Sequence, residues 1–333
     1  MSGILVIRGG AIGDFLLTLP AIRLLREAFP ETRLEILGYK HIIALAEGRY
    51  YAHATRSIEY SGLASFFTAG AKLPEDLTRY FSSFGQVISY LYDPDGHFEE
   101  NLRRAGVKNY LPAYSKIGAG IGGEPQADVT HAARRLAQPL ERLALFLEED
   151  AEAIAAPLHL SPEDHAAADA LLAPLKGIPA ERTGTRQRPI VALHPGSGGS
   201  HKLWPLEHWS ALVDKIAAHP LRPGIVLIGG EADTARLEKL ASVGGGERRI
   251  VIFNRPLPEV AAVIARSDIF IGHDSGISHI AAAAGTRSIL LFGPTDPRVW
   301  APGGSHVTVV TGRERTSLET LEPETILALL WNS

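Results

Sequence analysis

Short apolar runs alternate with longer segments of mixed polarity along most of this chain. In the first half, Ile4–Ile7, Arg33–Leu37, Val87–Tyr90 and the residues around Tyr110 have the length and composition of strands. Helical stretches are predicted between them, near Phe15–Phe29, Gly96–Ala105 and Ala132–Leu147. Strands alternating with helices predict a mostly parallel sheet covered by helices on both faces. Pro20 lies inside the first helical stretch and predicts a kink, because a proline there lacks a donor and crowds the preceding turn.

Ser161-Pro162-Glu163-Asp164 begins a further helix: a serine cap, proline at the first position, and an acid three residues after the cap. That helix is predicted to end near Leu175. Residues 176–189 are polar, rich in turn formers and without periodicity, and read as an interdomain linker. The alternation then restarts, with strands at Ile190–Leu193, Gly224–Ile228, Ile250–Phe253, Ile269–Gly272 and Ser288–Phe292. The chain thus divides into an N-terminal half, 1–175, and a C-terminal half, 190–315, with residues 316–333 carrying a last helix, Glu322–Leu330. Two such α/β halves place a ligand in the cleft between them, at the carboxyl ends of the strands.

Composition narrows the function classes. At 333 residues the chain has room for about two domains, each with its own core. A formal net charge of −4 provides no basic field to recruit a polyanion, which argues against nucleic-acid binding. With no cysteine there is no disulfide, zinc–thiolate site or cysteine nucleophile, which fits a reducing cytoplasm. The first residues, Met1 to Arg8, are too short in apolar positions for a signal peptide, and no run approaches the roughly 18 apolar residues of a membrane span. A soluble, cytoplasmic protein is expected.

The densest chemistry lies in His273-Asp-Ser-Gly-Ile-Ser-His279, with Phe292-Gly-Pro-Thr-Asp-Pro297 close behind. A strand that ends in a polar, glycine-containing turn and feeds a helix presents N–H groups and a positive dipole end. That suits a phosphate or diphosphate. Asp274 or Ser275 as a simple helix cap accounts for the turn alone. Asp274, Ser278, His279, Thr295 and Asp296 together are more than a cap needs.

Three other turns follow predicted strands. Arg8-Gly-Gly-Ala-Ile-Gly-Asp14 brings glycines close to a ligand, but lacks dinucleotide spacing, and no acid ends the second strand for a ribose contact. Asp14 is either the cap of the next helix or a general base. His194-Pro-Gly-Ser-Gly-Gly-Ser-His-Lys-Leu-Trp-Pro205 combines glycines, hydroxyls and Lys202, the ingredients of an anion contact, while Trp204 and Trp209 read as packing residues. Ile228-Gly-Gly-Glu-Ala-Asp233 offers Glu231 as a ribose acceptor or as a first-turn acid. Asp93-Pro-Asp95 is formally a metal-binding pair, but Pro94 and Gly96 make a turn the simpler reading. His131, Arg134 and Arg135, with Arg142 beyond, form a basic cluster that reads either as solvated surface or as a holder of anionic groups.

Three blocks, in this order, resemble glycosyltransferase family 9, the heptosyltransferases of lipopolysaccharide core assembly. They are Gly13-Asp14-Phe-Leu-Leu-Thr-Leu-Pro20-Ala21, His194-Pro-Gly-Ser197 with Lys202-Leu-Trp-Pro205, and Asp274-Ser-Gly-Ile-Ser-His279 with Gly293-Pro-Thr-Asp-Pro297. The resemblance implies two Rossmann-like halves of the GT-B type, the acceptor on the N-terminal half and the nucleotide sugar on the C-terminal half. It also implies that the last helix packs back toward the N-terminal half. The activity implied is an inverting, metal-independent transfer of heptose, usually from ADP-heptose, to a lipopolysaccharide-core hydroxyl, with no cofactor.

By position, Asp14 matches the family's base, and Lys202 and Ser275, Gly276, Ile277, Ser278 and His279 its diphosphate contacts. Ser197, Glu231 and Asp274 complete the expected donor set; Gly10, Arg134 and Arg135 are the expected acceptor set. Gly198-Gly199-Ser200 departs from the family's more threonine-rich form. The expected partners are a nucleotide-sugar donor and an anionic glycolipid, with peripheral contact at the inner membrane. A transferase for another nucleotide sugar, a nucleotide-sugar epimerase and a non-catalytic binder are the competing readings.

Overall fold

The computed structural model describes residues 3–114, 129–149, 152–176, 188–244, 246–313 and 316–331. They fall into two compact units, one built from the residues up to 114 with those from 131 to 159, the other from residue 160 onward.

In the first unit, β1 (Ile4–Arg8), β2 (Leu34–Gly38), β3 (Ala54–Ser57), β4 (Gln86–Ser89) and β5 (Tyr110–Pro112) form a parallel sheet in the order β3-β2-β1-β4-β5. Its helices are α1 (Ile12–Ala28), α2 (Lys40–Ile43), α3 (Glu75–Ser82), α4 (His97–Arg104) and α5 (Ala132–Ala137). Leu5, Val6 and Ile7 are fully buried, as a central parallel strand covered on both faces requires. Leu5 and Ile7 pack with Leu37, Phe66, Phe81, Val87 and Phe98.

The second unit holds a parallel sheet of β6 (Ile190–His194), β7 (Gly224–Gly229), β8 (Arg249–Phe253), β9 (Ile269–His273), β10 (Ser288–Phe292) and β11 (Val307–Thr311), ordered β11-β10-β9-β6-β7-β8. Its helices are α6 (Pro162–Lys176), α7 (Leu206–Ala218), α8 (Thr234–Ala241), α9 (Leu257–Ala265), α10 (Gly276–Ala283), α11 (Pro297–Trp300) and α12 (Pro323–Trp331). Trp204 and Trp209 sit fully buried in its core beside Leu193, Ile271 and Leu291, the packing role read from sequence. Each sheet reverses its winding once, between β1 and β4 and between β6 and β9. Loops that leave adjacent strands in opposite directions open a crevice at that point, on the carboxyl edge.

Several elements differ from the sequence reading. The edge strands β3 and β11 were not singled out; Ala54-Thr-Arg-Ser57 contains no apolar run for a pattern to catch. α1 continues through Pro20 to Ala28. The stretch predicted as one helix over Ala132–Leu147 is α5 followed by a 3₁₀ segment, Gln138–Leu143, which ends at Ala144 in a left-handed conformation. Pro139 explains the change, since it cannot donate back into an α-helix.

The predicted domain boundary needs correction. α6 was assigned to the N-terminal half, but it packs on α9 and β8 of the second unit, and Asp169 meets Arg266 at 3.2 Å. The linker read over 176–189 falls mostly on residues 177–187, which lie outside the described residues. α12 packs within the second unit. Its buried Ile326 and Leu330 belong to the second unit's core, where it lies on α7. Lys215 pairs with Glu324 at 3.0 Å, and Trp331 stacks on His219 at 4.2 Å.

Candidate active site

The turn after β1 is closed by its own helix. Asp14 stands in the first turn of α1, and its Oδ2 accepts the Ala11 N–H at 2.8 Å. Its Oδ1 lies 3.5 Å from the Arg8 guanidinium. Arg8 in turn donates Nε–H and Nη2–H to the Asp14 carbonyl oxygen at 3.3 and 3.1 Å, and the Thr18 hydroxyl donates to the same oxygen at 2.7 Å. Gly10 has φ +94°, and a Cβ there would sit 2.7 Å from Asp14 Oδ2, so the turn requires glycine on both counts. Asp14 therefore ties down the helix start, and its side chain is still 37% exposed.

Arg8 was part of a motif without an assigned role. The structure shows its guanidinium over the Tyr90 ring, 5.8 Å from the centroid. Burial lowers its pKa, against the opposing effects of Asp14, Tyr90 and Tyr114. An arginine starts so high that it stays a cation. A fixed positive charge thus stands beside the Asp14 carboxylate.

In the second unit the loops after β6 and β10 converge on one residue of the loop after β9, Asp274, at the β6/β9 reversal. Lys202, in the loop after β6, places Nζ 2.6 Å from Asp274 Oδ2. Thr295, in the loop after β10, donates its hydroxyl to the same oxygen at 2.6 Å. Ser197 Oγ donates to the Asp274 carbonyl at 3.0 Å. Asp274 itself follows β9 and is buried. Ser275 caps α10, accepting the Ser278 N–H, and the buried Ser278 hydroxyl donates to the His273 carbonyl. Gly276 and Ile277 belong to the first turn of α10, whose N–H groups have no acceptor within their own helix. His279 is buried in the same turn.

His273 is the post behind this arrangement. Its Nε2 accepts the Trp204 N–H at 2.8 Å and the Trp209 indole N–H at 3.3 Å, leaving Nδ1 to donate to the Gly196 carbonyl at 3.0 Å. Burial pushes its pKa down to about 3, consistent with a neutral ring that accepts on one side and donates on the other. Asp233 supports the loop from beneath: its carboxylate accepts the Gly230 N–H at 3.0 Å, and a Cβ on Gly196 would lie 2.0 Å from Asp233 Oδ1.

The remaining sequence candidates are placed as follows. Glu231 opens the short 3₁₀ segment after β7, exposed, with Oε1 accepting from Asn254 Nδ2 at 3.3 Å. Asp93 accepts the Phe98 and Glu99 N–H groups at 3.1 and 3.0 Å, the turn-and-cap reading of Asp93-Pro-Asp95. Among the described residues no cluster of His, Asp or Glu is arranged to hold a metal ion. His131 is buried and caps α5, its ring accepting the Ala133 N–H at 3.2 Å. The Arg134 guanidinium donates to the carbonyls of Glu148 and Glu149, which anchors that loop. Arg135 is half-buried on α5. Among the described residues no helix is long and apolar enough to cross a membrane.

Two doubly wound parallel sheets, each with a polar turn at its switch point, define a Rossmann-type α/β protein. The model of glycosyltransferase family 9 (heptosyltransferase) matches residues 128–329, and the chain belongs to that family. It is similar to lipopolysaccharide heptosyltransferase 3 of Escherichia coli, 25% identical over 89% of this chain and 84% of that one. It is 30% identical to lipooligosaccharide heptosyltransferase 2 of Haemophilus influenzae, where the matched stretch spans only 37% of either chain. The fold is that of the E. coli ADP-heptose lipopolysaccharide heptosyltransferase II structure, with a TM-score of 0.70 at 16% identity over 98% of this chain and 97% of that one.

Proposed function

We propose that the protein transfers heptose from ADP-heptose to a hydroxyl of a lipopolysaccharide-core acceptor, inverting the anomeric centre and without a metal ion. The observation that carries this reading is the convergence of Lys202, Thr295 and Ser197 on Asp274 beside the start of α10. A cation held near two first-turn N–H groups suits a diphosphate whose charge grows as it leaves. Ser275, Gly276 and Ile277 would face that diphosphate. Glu231 would accept from the ribose hydroxyls, as the sequence suggested.

On this reading Asp14 is the base. It takes the proton of the acceptor hydroxyl as that oxygen bonds to the anomeric carbon and the C–O bond to the nucleoside diphosphate breaks. A positioned base of this kind contributes on the order of 10²–10⁴-fold. Any side chain at position 10 would crowd the Asp14 carboxylate, so Gly10 leaves it accessible. Arg8 is a positioning residue, since it holds both the carboxylate and the carbonyl of Asp14.

The test is incubation with ADP-heptose and a lipopolysaccharide-core acceptor, read by mass spectrometry and by the anomeric coupling of the product. A heptosylated product of inverted configuration, formed equally with a chelator present, is expected. Transfer only from GDP- or UDP-sugars would overturn the donor, and an isomerised sugar formed without acceptor would make the protein an epimerase.

A further inference from the structure

The first unit carries exposed aromatic rings in the segments that follow its strands. Tyr39 follows β2, Tyr60 and Phe67 follow β3, Tyr92 follows β4 and Tyr114 follows β5, and all are exposed. Two of them form a pair: the rings of Tyr92 and Tyr114 lie 4.9 Å apart, tilted by 50°. Tyr92 is 66% exposed and Tyr114 45%, so this pair offers its faces to solvent.

The strand ends that lead to the pair are held by hydrogen bonds and packing. Tyr90, two residues before Tyr92, is buried, takes the Ile7 carbonyl with its N–H at 2.9 Å, and donates its hydroxyl to the Leu136 carbonyl at 3.0 Å. Leu91 abuts the Asp14 turn, since a Cβ on Gly9 would lie 3.1 Å from its Cδ2. Asp93, one residue after Tyr92, is held by its cap of α4. Ala113 precedes Tyr114, is buried, and donates its N–H to Ser89 at 2.8 Å. The two rings are thus presented by fixed strand ends, in the sheet order β1-β4-β5, beside the turn that carries Asp14. Tyr114 also acts electrostatically on Arg8, which touches Asp14.

We propose that Tyr92 and Tyr114 form a platform that stacks a pyranose ring of the acceptor saccharide next to the Asp14 turn. A sugar ring has one apolar C–H face and a polar rim, and a tyrosine matches both with its ring and its hydroxyl. Rings already held in place lose little freedom on binding, which favours affinity. A bilayer surface is a poorer match. The segment around Tyr92 carries Asp93, Asp95, Glu99 and Glu100, whereas contact with anionic lipid draws on Lys and Arg. The platform rests on the proposed glycosyl transfer only for the name of its ligand.

Both rings are exposed, so their removal leaves the core intact. The variants are Tyr92→Ala with Tyr114→Ala, against Tyr92→Phe with Tyr114→Phe. The probe is a delipidated lipopolysaccharide-core oligosaccharide, followed by saturation-transfer NMR and, as acceptor, by kinetics. The double alanine variant should raise the acceptor KM about tenfold, equivalent to roughly 1.4 kcal/mol, and reduce saturation transfer to the oligosaccharide, with kcat and ADP affinity unchanged. The double phenylalanine variant should keep most of the binding. An unchanged KM and undiminished saturation transfer in the alanine variant overturn the platform while leaving heptosyl transfer standing. A defect seen only with lipid-bearing acceptor in vesicles, absent with the delipidated sugar, also overturns it and makes the rim a membrane contact. If the wild type transfers no heptose but binds the oligosaccharide in a way the alanine variant loses, the platform stands and the proposed reaction fails.

Discussion

The turn after β1 and the turn after β9 share one plan, a strand that ends in polar residues and feeds a helix, but different contacts hold them. The first is local. Arg8, Ala11, Asp14 and Thr18 bind one another across separations of three to six residues. The second is assembled from afar: Lys202 and Asp274 are 72 residues apart, Thr295 and Asp274 are 21 apart, and Trp204 reaches His273 over 69. A locally closed turn leaves its carboxylate partly exposed and suited to proton transfer. A turn closed by two other loops, those after β6 and β10, buries its carboxylate and holds a cation, which suits electrostatic stabilisation. Under the proposed reaction the two acids have different duties: Asp14 would act on a proton, while Asp274 holds Lys202 and Thr295 in place.

The largest expected effect follows from that division. Asp14→Asn keeps the size of the side chain and an acceptor for the Ala11 N–H. It should lower turnover at least about a hundredfold with ADP affinity unchanged in calorimetric titration. Wild-type turnover in this variant would remove Asp14 as base and erase the contrast.

Asp274→Ala should act differently, on binding and stability together. It leaves Lys202 and Thr295 without their shared acceptor at a buried position, which costs on the order of 2 kcal/mol. ADP affinity should fall about tenfold, and the thermal midpoint should drop. If turnover alone falls, with the midpoint and ADP affinity intact, then Asp274 contacts the reacting atoms and the proposed division is wrong.

The second turn carries a pH dependence of stability. His273 has a pKa of about 3 when folded, against about 6.5 when unfolded. Between those values the unfolded chain binds more protons, so stability is full above about pH 6.5 and declines as pH falls toward 3. The slope from this group is up to about 1.4 kcal/mol per pH unit. His194, whose pKa burial also lowers, adds in the same direction. Chemical denaturation from pH 7 to 5 should show the decline, and His273→Gln should flatten it. A wild-type slope that persists in this variant would place the dependence elsewhere.

The smallest effect sharpens the acceptor side of the first unit. Arg134 anchors the carbonyls of Glu148 and Glu149, so Arg134→Ala should cost about 1 kcal/mol of stability and leave the acceptor KM within twofold. A raised KM at unchanged thermal midpoint would return Arg134 to the acceptor-binding role suggested by its place in the sequence.

The sequence by itself determined the alternation of strands and helices, the parallel character of both sheets, and the places where chemistry collects. These depend on short-range facts: apolar runs of strand length, glycines at turns, and acids or hydroxyls at helix starts. Asp14 and the Ser275 cap were legible for that reason. Tertiary structure decided the rest. α6 and α12 joined the second unit because their apolar faces found surfaces there, on α9 and α7, which no linker composition announces. Lys202, Thr295 and Asp274 became one group because β6, β9 and β10 lie side by side in the sheet, although the chain visits them far apart. Arg8 gained its role from the Tyr90 ring beneath it, and Tyr92 met Tyr114 because β4 pairs with β5. Hydrogen bonds and ring contacts act over a few ångströms, and only the folded sheet brings such distant residues within that range.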